Sequence, residues 1–428
     1  MKTFKHLALF GAAGILAAAV AVPAATAGEV ADFYKGKRIT MWIGYTAGGG
    51  YDRYARTLAR HMGRHIPGNP KFVAKNKPGA GSMILANDMY SVMPQDGTAI
   101  STIGRGIPME PLFGNKQANF DPVKFGWLGS TNNEVSVCAS MKRTGITTFK
   151  EMKSRGMIVG GTGKGSDTDT FPTVLNNIIG TKFKLVTGYP GGNDINFAME
   201  RGELDGRCGW SWSSVKATRG QWLKSGRINI LLQMSTSKHA DLPNVPFVMD
   251  LAKSESDLKV LQLVFARQAW GRPFNTTPNV PKARLAALRA AFDATMKDPK
   301  YQADMKDKQK LELNPISGLQ IEKLIRDLYN SPKEIVALAA KATSDDSAIQ
   351  TSKAVIPIAT YKGKITKIKR GGRRVSWSGG GKKGKLRVSG KRTKITIAGK
   401  KAKRKALKTG MSCSFKVKGV SAALAINC

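Results

Sequence analysis

Three glycine-flanked segments hold the residues best suited to chemistry. In Thr46-Ala47-Gly48-Gly49-Gly50-Tyr51-Asp52, consecutive glycines let the backbone come close to a ligand and aim several N–H groups at it. A helix starting there would add its positive end, so an anion is the natural guest. Gly160–Thr168 offers a second such loop, with Gly163 and Gly165 around Lys164 and with Ser166 and Thr168 as hydroxyl donors. It is not a nucleotide loop, because Gly165 follows Lys164 where a hydroxyl residue is needed and Ile158 stands where the leading glycine belongs. Arg105, between Gly104 and Gly106, suits two-pronged capture of a carboxylate; a solvated surface arginine is the competing reading.

Groups for catalysis are scarce. His61 and His65 lie four residues apart, but no glutamate stands between them, and Arg60 and Arg64 make that face cationic, so a solvated helix end outweighs a metal site. No Gly-x-Ser-x-Gly elbow occurs, and His239 stands alone in the sequence. The chain is therefore read as a non-enzyme that needs no metal and no cofactor.

The elements that must position these loops alternate regularly. Ile39–Tyr45, Lys71–Asn76 and Thr98–Ile103 read as strands. Between them lie helices over Tyr51–Ile66 and from a Ser82 cap through Met93, which makes a βαβαβ unit with a parallel sheet. Phe120–Asn133 reads as an irregular crossing. A second alternating run follows from Val135 to Met234, and helices return after Pro246 and continue to Ala342. The fold class expected is α/β: two doubly wound lobes with a cleft at the carboxyl ends of their strands.

Over about residues 36–342 the chain resembles the substrate-binding receptors of tripartite tricarboxylate transporters, the Bug family. The resemblance rests on Ala47-Gly48-Gly49-Gly50-Tyr51-Asp52, Asn76-Lys77-Pro78-Gly79-Ala80-Gly81, Pro94-Gln95-Asp96-Gly97-Thr98 and Gly163–Thr168. Tyr189-Pro190-Gly191-Gly192, Arg201-Gly202-Glu203-Leu204-Asp205 and Leu242-Pro243-Asn244-Val245-Pro246 follow in the same order. It implies a two-lobed, type II-like periplasmic binding protein fold, with a small carboxylate held between the lobes and delivered to a membrane permease. By position, it assigns that ligand to Thr46, Ala47, Gly48, Gly50, Tyr51 and Asp52, opposite Gly163, Gly165, Ser166 and Thr168, with Tyr189 nearby and Asp205 on the distal wall. Arg105, Lys164, Trp210 and Trp212 depart from the family pattern and hint at a more anionic or aromatic ligand.

Residues 1–27 read as a cleaved signal peptide: Lys2 and Lys5, an apolar run from Leu7 to Val22, then Ala25-Thr26-Ala27. The mature chain is thus expected in the periplasm. The net charge of +40 is unevenly spread, since no Asp or Glu follows Asp346 while Lys353–Lys418 holds 23 Lys and Arg. The expected organisation is 28–132 with 246–342 as lobe 1, 133–245 as lobe 2, a linker over 343–356 and a small basic all-β domain over 357–428. Cys413 and Cys428 could form a disulfide in that domain, whereas Cys138 and Cys208 read better as buried small hydrophobes. An anionic envelope surface fits the basic domain better than nucleic acid does. That leaves a sensory or adhesive envelope protein as the alternative function.

Overall fold

The computed structural model describes residues 24–390, 392–419 and 422–428. Of the expected signal peptide, residues 1–23 lie outside the described residues, and 24–27 open a helix, α1 (Ala24–Tyr34).

Lobe 1 is built on β1 (Arg38–Ile43), β2 (Lys71–Asn76), β3 (Ala99–Thr102), β4 (Gly126–Ser130), β10 (Pro273–Thr276) and β11 (Ile316–Ser317), ordered β11-β4-β10-β3-β1-β2. β1 pairs in parallel with β2 and β3, as the βαβαβ pattern requires. β10 then inserts antiparallel between β3 and β4. α2 (Gly50–His61) lays Tyr54, Ala55 and Leu58 on this sheet, the i, i+1, i+4 stripe of an amphipathic helix. α3 (Met83–Ser91) follows a left-handed Ser82, whose hydroxyl accepts from the Gly104 N–H (2.7 Å) and does not cap the helix as expected. The run Phe120–Asn133, read as irregular, contains the fully buried β4. Its two glycines hide the strand pattern, and Gly129 is required because the Phe292 ring presses on it.

Lobe 2 is built on β5 (Ser136–Met141), β6 (Ile158–Gly160), β7 (Lys184–Thr187), β8 (Gly206–Ser211), β9 (Ile228–Met234) and β12 (Gln350–Lys353), ordered β12-β7-β6-β8-β5-β9. Its helices are α4 (Phe149–Arg155), α5 (Asp167–Val174), α6 (Gly192–Glu200) and α7 (Trp212–Lys224). The Thr148–Glu151 capping box starts α4 where the hydrophobic pattern begins. Cys138 on β5 and Cys208 on β8 are bonded, which corrects their reading as separate hydrophobes: the two strands are antiparallel neighbours, and a bulge sets both sulfurs on one face.

The chain then passes through α8 (Glu255–Phe265) to lobe 1, where α9 (Lys282–Lys297), α10 (Pro299–Ala303) and α11 (Gly318–Tyr329) follow. α12 (Lys333–Ser344) crosses back and packs on α5 and α8. Residues 343–356, expected as a linker, are built into lobe 2. Asn176 and Asn177 donate to the carbonyls of Ala348, Ala342 and Asp345, and β12 adds to β7 in parallel. This edge strand is exposed along its whole length and held by backbone bonds, so it leaves no hydrophobic period in the sequence.

The basic region forms β13 (Ile358–Lys369), β14 (Arg374–Gly379), β15 (Lys382–Arg387), β16 (Lys394–Ile397), β17 (Lys400–Lys401), β18 (Ser412–Lys418) and β19 (Ala422–Asn427). The antiparallel series β15-β14-β13-β18-β19 closes through a parallel contact of Arg387 with Ala422, so the sheet becomes a small barrel. Alternate residues, including Ile365, Val375, Trp377, Leu386, Phe415 and Ile426, fill it. Cys413 and Cys428 are bonded (2.06 Å) across β18 and the end of β19.

Candidate functional site

The carboxyl ends of β1 and β3 in lobe 1 face those of β6 and β8 in lobe 2, and a cavity of about 60 Å³ lies between them. The lobes are closed on each other. Gly81 N–H donates to Thr162 O (2.9 Å), and Thr46 N–H donates to Pro190 O (3.2 Å). Two glycines make that approach possible. A Cβ on Gly50 would collide with Ser214 from the other lobe, and one on Gly163, at φ 128°, would lie 2.6 Å from Gly81 N.

Of the residues expected to bind, Gly50, Tyr51, Arg105, Ser166 and Thr168 line the cavity. Several others serve the frame. Asp52 accepts from Gly48 N–H (2.9 Å), Arg56 Nε (2.8 Å) and Asn76 Nδ2 (2.7 Å), so it shapes its own loop and uses up one of the N–H groups meant for a ligand. The Thr46 hydroxyl donates to Asp194 (2.7 Å) across the lobes. Ala47 does not reach the cavity. In the second loop, Asp169 draws the donors inward: it accepts from Gly163 N–H (2.8 Å), the Ser166 hydroxyl (2.9 Å) and the Thr187 hydroxyl. Burial pushes the Asp169 carboxyl above its ordinary range. Gly165 packs on Glu110, and Lys164 points to solvent. Tyr189 lies in the lobe 2 core. Asp205 sits at the amino ends of β6 and β8, away from the cavity, where it accepts from Ile158 N–H (2.9 Å) and faces Arg143.

Arg105 is not the open carboxylate clamp suggested by its glycine neighbours. It is 2% exposed, and Nε donates to Asp167 (2.6 Å). Its remaining nitrogens reach Gly271 O (3.1 Å), Ser136 (2.9 Å) and Ser211 (3.0 Å). Burial alone would lower its pKa, but Asp167 holds the guanidinium firmly protonated. Arg105 is therefore a buried cross-lobe bridge, satisfied within the protein.

Two arginines escaped the reading of the loops. Arg272, just before β10, donates to Glu134 (2.8 Å), Ser213 (3.1 Å) and Ser214 (2.8 Å) and stacks its guanidinium on Tyr51 and Tyr54. Arg207, on β8, lies over Trp210 and makes only long bonds, to Gly192 O and Asn196 Oδ1 (3.2 Å each). Its Nε is buried and unpartnered, as is Oδ1 of the neighbouring Asn193. Burial first, and Arg272 second, push Arg207 down to about 9, which leaves it a cation at neutral pH. Three arginines line the cavity, and two carboxylates, Asp167 and Glu134, pair with two of them. Asp167 is shared at longer range with the buried Arg267, and Arg207 is the lining arginine with no carboxylate paired to it. A basic residue interrupting an apolar strand (Gly206-Arg207-Cys208) is the sequence signal that would have found it.

The histidines serve the frame too. His61 pairs with Asp304 (2.9 Å) and His65 with Asp298 (2.8 Å), so they do not converge on a metal. His239 stands with Asp241 and Glu312, with ligand atoms within 4.8 Å of one another, but the Lys216 ammonium bonds both carboxylates and takes a cation's place there.

No protein-family model matches the chain. A stretch of 114 residues, 26% of the chain, is 40% identical to a UPF0065 protein in the gbd 5′ region of Cupriavidus necator, and it spans 33% of that relative's length. Among solved structures, the periplasmic binding protein BugD aligns with a TM-score of 0.58 at 20% identity, over 72% of this chain and 98% of BugD. MatC from Rhodopseudomonas palustris with bound malate gives 0.55 at 15% identity, over 70% of this chain and 99% of MatC. An R. palustris protein with adipate gives 0.56 at 16% identity, over 71% and 97%. The resemblance read from the sequence motifs is thus borne out at the level of fold: two lobes with the fold of periplasmic binding proteins and a separate strand-rich carboxyl-terminal region.

Proposed function

We propose that this chain is an extracytoplasmic, non-enzymatic receptor that captures a small carboxylate between its lobes and delivers it to a membrane permease. The observation that carries the reading is Arg207, a cavity cation with an unpartnered Nε and no carboxylate beside it. A ligand carboxylate would supply the missing charge and accept from that nitrogen, while Asn193, Ser166 and Tyr51 line the rest of the space. About 60 Å³ holds only a handful of water molecules, so the closed lobes favour a short ligand. The likeness in fold to proteins crystallised with malate and adipate, both dicarboxylates, supports the same class. No helix among the described residues is long and apolar enough to cross a membrane.

The test is a thermal-shift screen of the mature chain against mono-, di- and tricarboxylates, sugars and cations. A ligand at a hundred times its Kd should stabilise the native state by about 2.7 kcal/mol. One or more carboxylates should raise the unfolding temperature in a saturable way. A shift with a sugar or cation and none with any carboxylate would sink the proposal.

A further inference from the structure

The barrel presents two different ends. One lies against the receptor body. The turn at Gly419 comes within 3.6 Å of Asp194 Oδ1, measured from where its side chain would begin, and the Arg387 charge acts on Asp194 and Asp52. The other end, about 15–20 Å further along β13 and β18 at ~3.3 Å per residue, carries a shallow groove lined by Lys362, Lys364, Ser378, Ser412 and Ser414. Burial alternates along these strands, so these side chains share the outer face, opposite Ile365, Trp377 and Phe415.

Register gives this face a pattern. Lys383 lies opposite Ser378, Ser378 opposite Lys364, and Lys364 opposite Ser412, a lysine–serine–lysine–serine row across β15, β14, β13 and β18. Lys385 likewise faces Ser376, and Lys362 faces Ser414. Lysines placed directly opposite one another would repel. A serine between them spaces the cations and adds a hydroxyl that can donate or accept. No acidic residue follows Asp346 to neutralise the row.

We propose that this face binds an acidic polysaccharide, with lysines taking the anionic substituents and serines the sugar hydroxyls. The barrel's aromatics argue against a single-stranded nucleic acid, which needs exposed rings for base stacking. Trp377 and Phe415 are 4% and 0% exposed, and Tyr361 is packed against Trp377 inside the barrel. A membrane face is disfavoured because the exposed large hydrophobics of this region, Val355 and Ile358, lie at the end next to the receptor body. The inference does not depend on the carboxylate reading, since the face is remote from the cavity.

The experiment uses the full mature chain and heparin as the probe, at physiological salt. Replacing Lys362, Lys364, Lys383 and Lys385 together by Ser should weaken heparin binding on the order of tenfold or more. A charge-matched control replaces Lys394, Lys400, Lys401 and Lys405, on another part of the barrel, and should stay within about twofold of the parent. Both variants should keep the parent's unfolding temperature and far-UV circular dichroism, which shows that they are folded. Equal weakening by the two sets would overturn the proposal, because net charge alone would then explain binding. Preference for a single-stranded oligonucleotide, or for vesicles with 30% anionic lipid, over heparin would overturn it as well.

Discussion

Arg207→Met separates ligand binding from stability more sharply than any other single change. Methionine keeps an unbranched chain over Trp210 but removes the charge and the unpartnered Nε. A hydrogen bond between a charged donor and acceptor contributes about 1.5–3 kcal/mol. At about 1.36 kcal/mol per factor of ten, its loss should weaken the best carboxylate roughly 10- to 150-fold. The unliganded protein should respond in the opposite sense. Arg207 is a largely desolvated cation with no acidic partner, so its removal relieves desolvation and gives up only the two long bonds to Gly192 O and Asn196 Oδ1. Isothermal titration calorimetry reads the first effect, and urea unfolding without ligand reads the second. Affinity should fall while the unfolding midpoint holds or rises. An unchanged affinity would refute the assignment. A parallel fall in affinity and midpoint would show that Arg207 is a structural group instead.

Arg105→Ala should do the reverse. It leaves Asp167 buried without its main partner, and breaking such a pair costs about 3–5 kcal/mol. The bridge joins the two lobes, so small-angle scattering should show an opened molecule together with a lower urea midpoint; a closed, equally stable variant would contradict the bridge. Asp304 supplies a pH signature. Burial alone would raise its pKa, but bonds from His61 and Arg60 hold it down to about 2, from the ordinary 3.8. That drop corresponds to roughly 2 kcal/mol, present above pH 3.8 and lost as pH falls through about 2. The midpoint gap between parent and Asp304→Asn should therefore be full at pH 7 and shrink to about half by pH 3, and a gap independent of pH would dismiss the linkage. Reducing Cys413–Cys428, which closes a 15-residue loop, should cost the barrel about 3 kcal/mol, read as a lower transition in differential scanning calorimetry while the carboxylate shift persists.

The frame of the molecule is written locally, and the site is not. Arg38–Thr102 reads as βαβαβ because each strand, turn and helix announces itself within a dozen residues. β4 and β10 do not, because each is four or five residues long and gains its meaning from a partner some 145 residues away. The glycine loops were visible as ligand-approach motifs. What could not be read was which of their donors stay free: Asp52 and Asp169 turn back onto their own loops, and Asp194 arrives from the other lobe. Arg105 looked available for the same reason, since its four partners lie 31 to 166 positions away. Arg207 and Arg272 looked like ordinary charges until three-dimensional pairing left one of them over.

β12 fixes how the barrel and the receptor body could move together. Four residues of backbone pairing weld the barrel's root to β7, so the barrel belongs mechanically to lobe 2. Asp52 of lobe 1 acts on Arg387 through its charge, but lobe 1 shares no strand with the barrel. Anchoring the barrel would make lobe 2 the stationary jaw and lobe 1 the swinging one. Opening and closing of the cleft would then move lobe 1 alone, sweeping the same face through space each time.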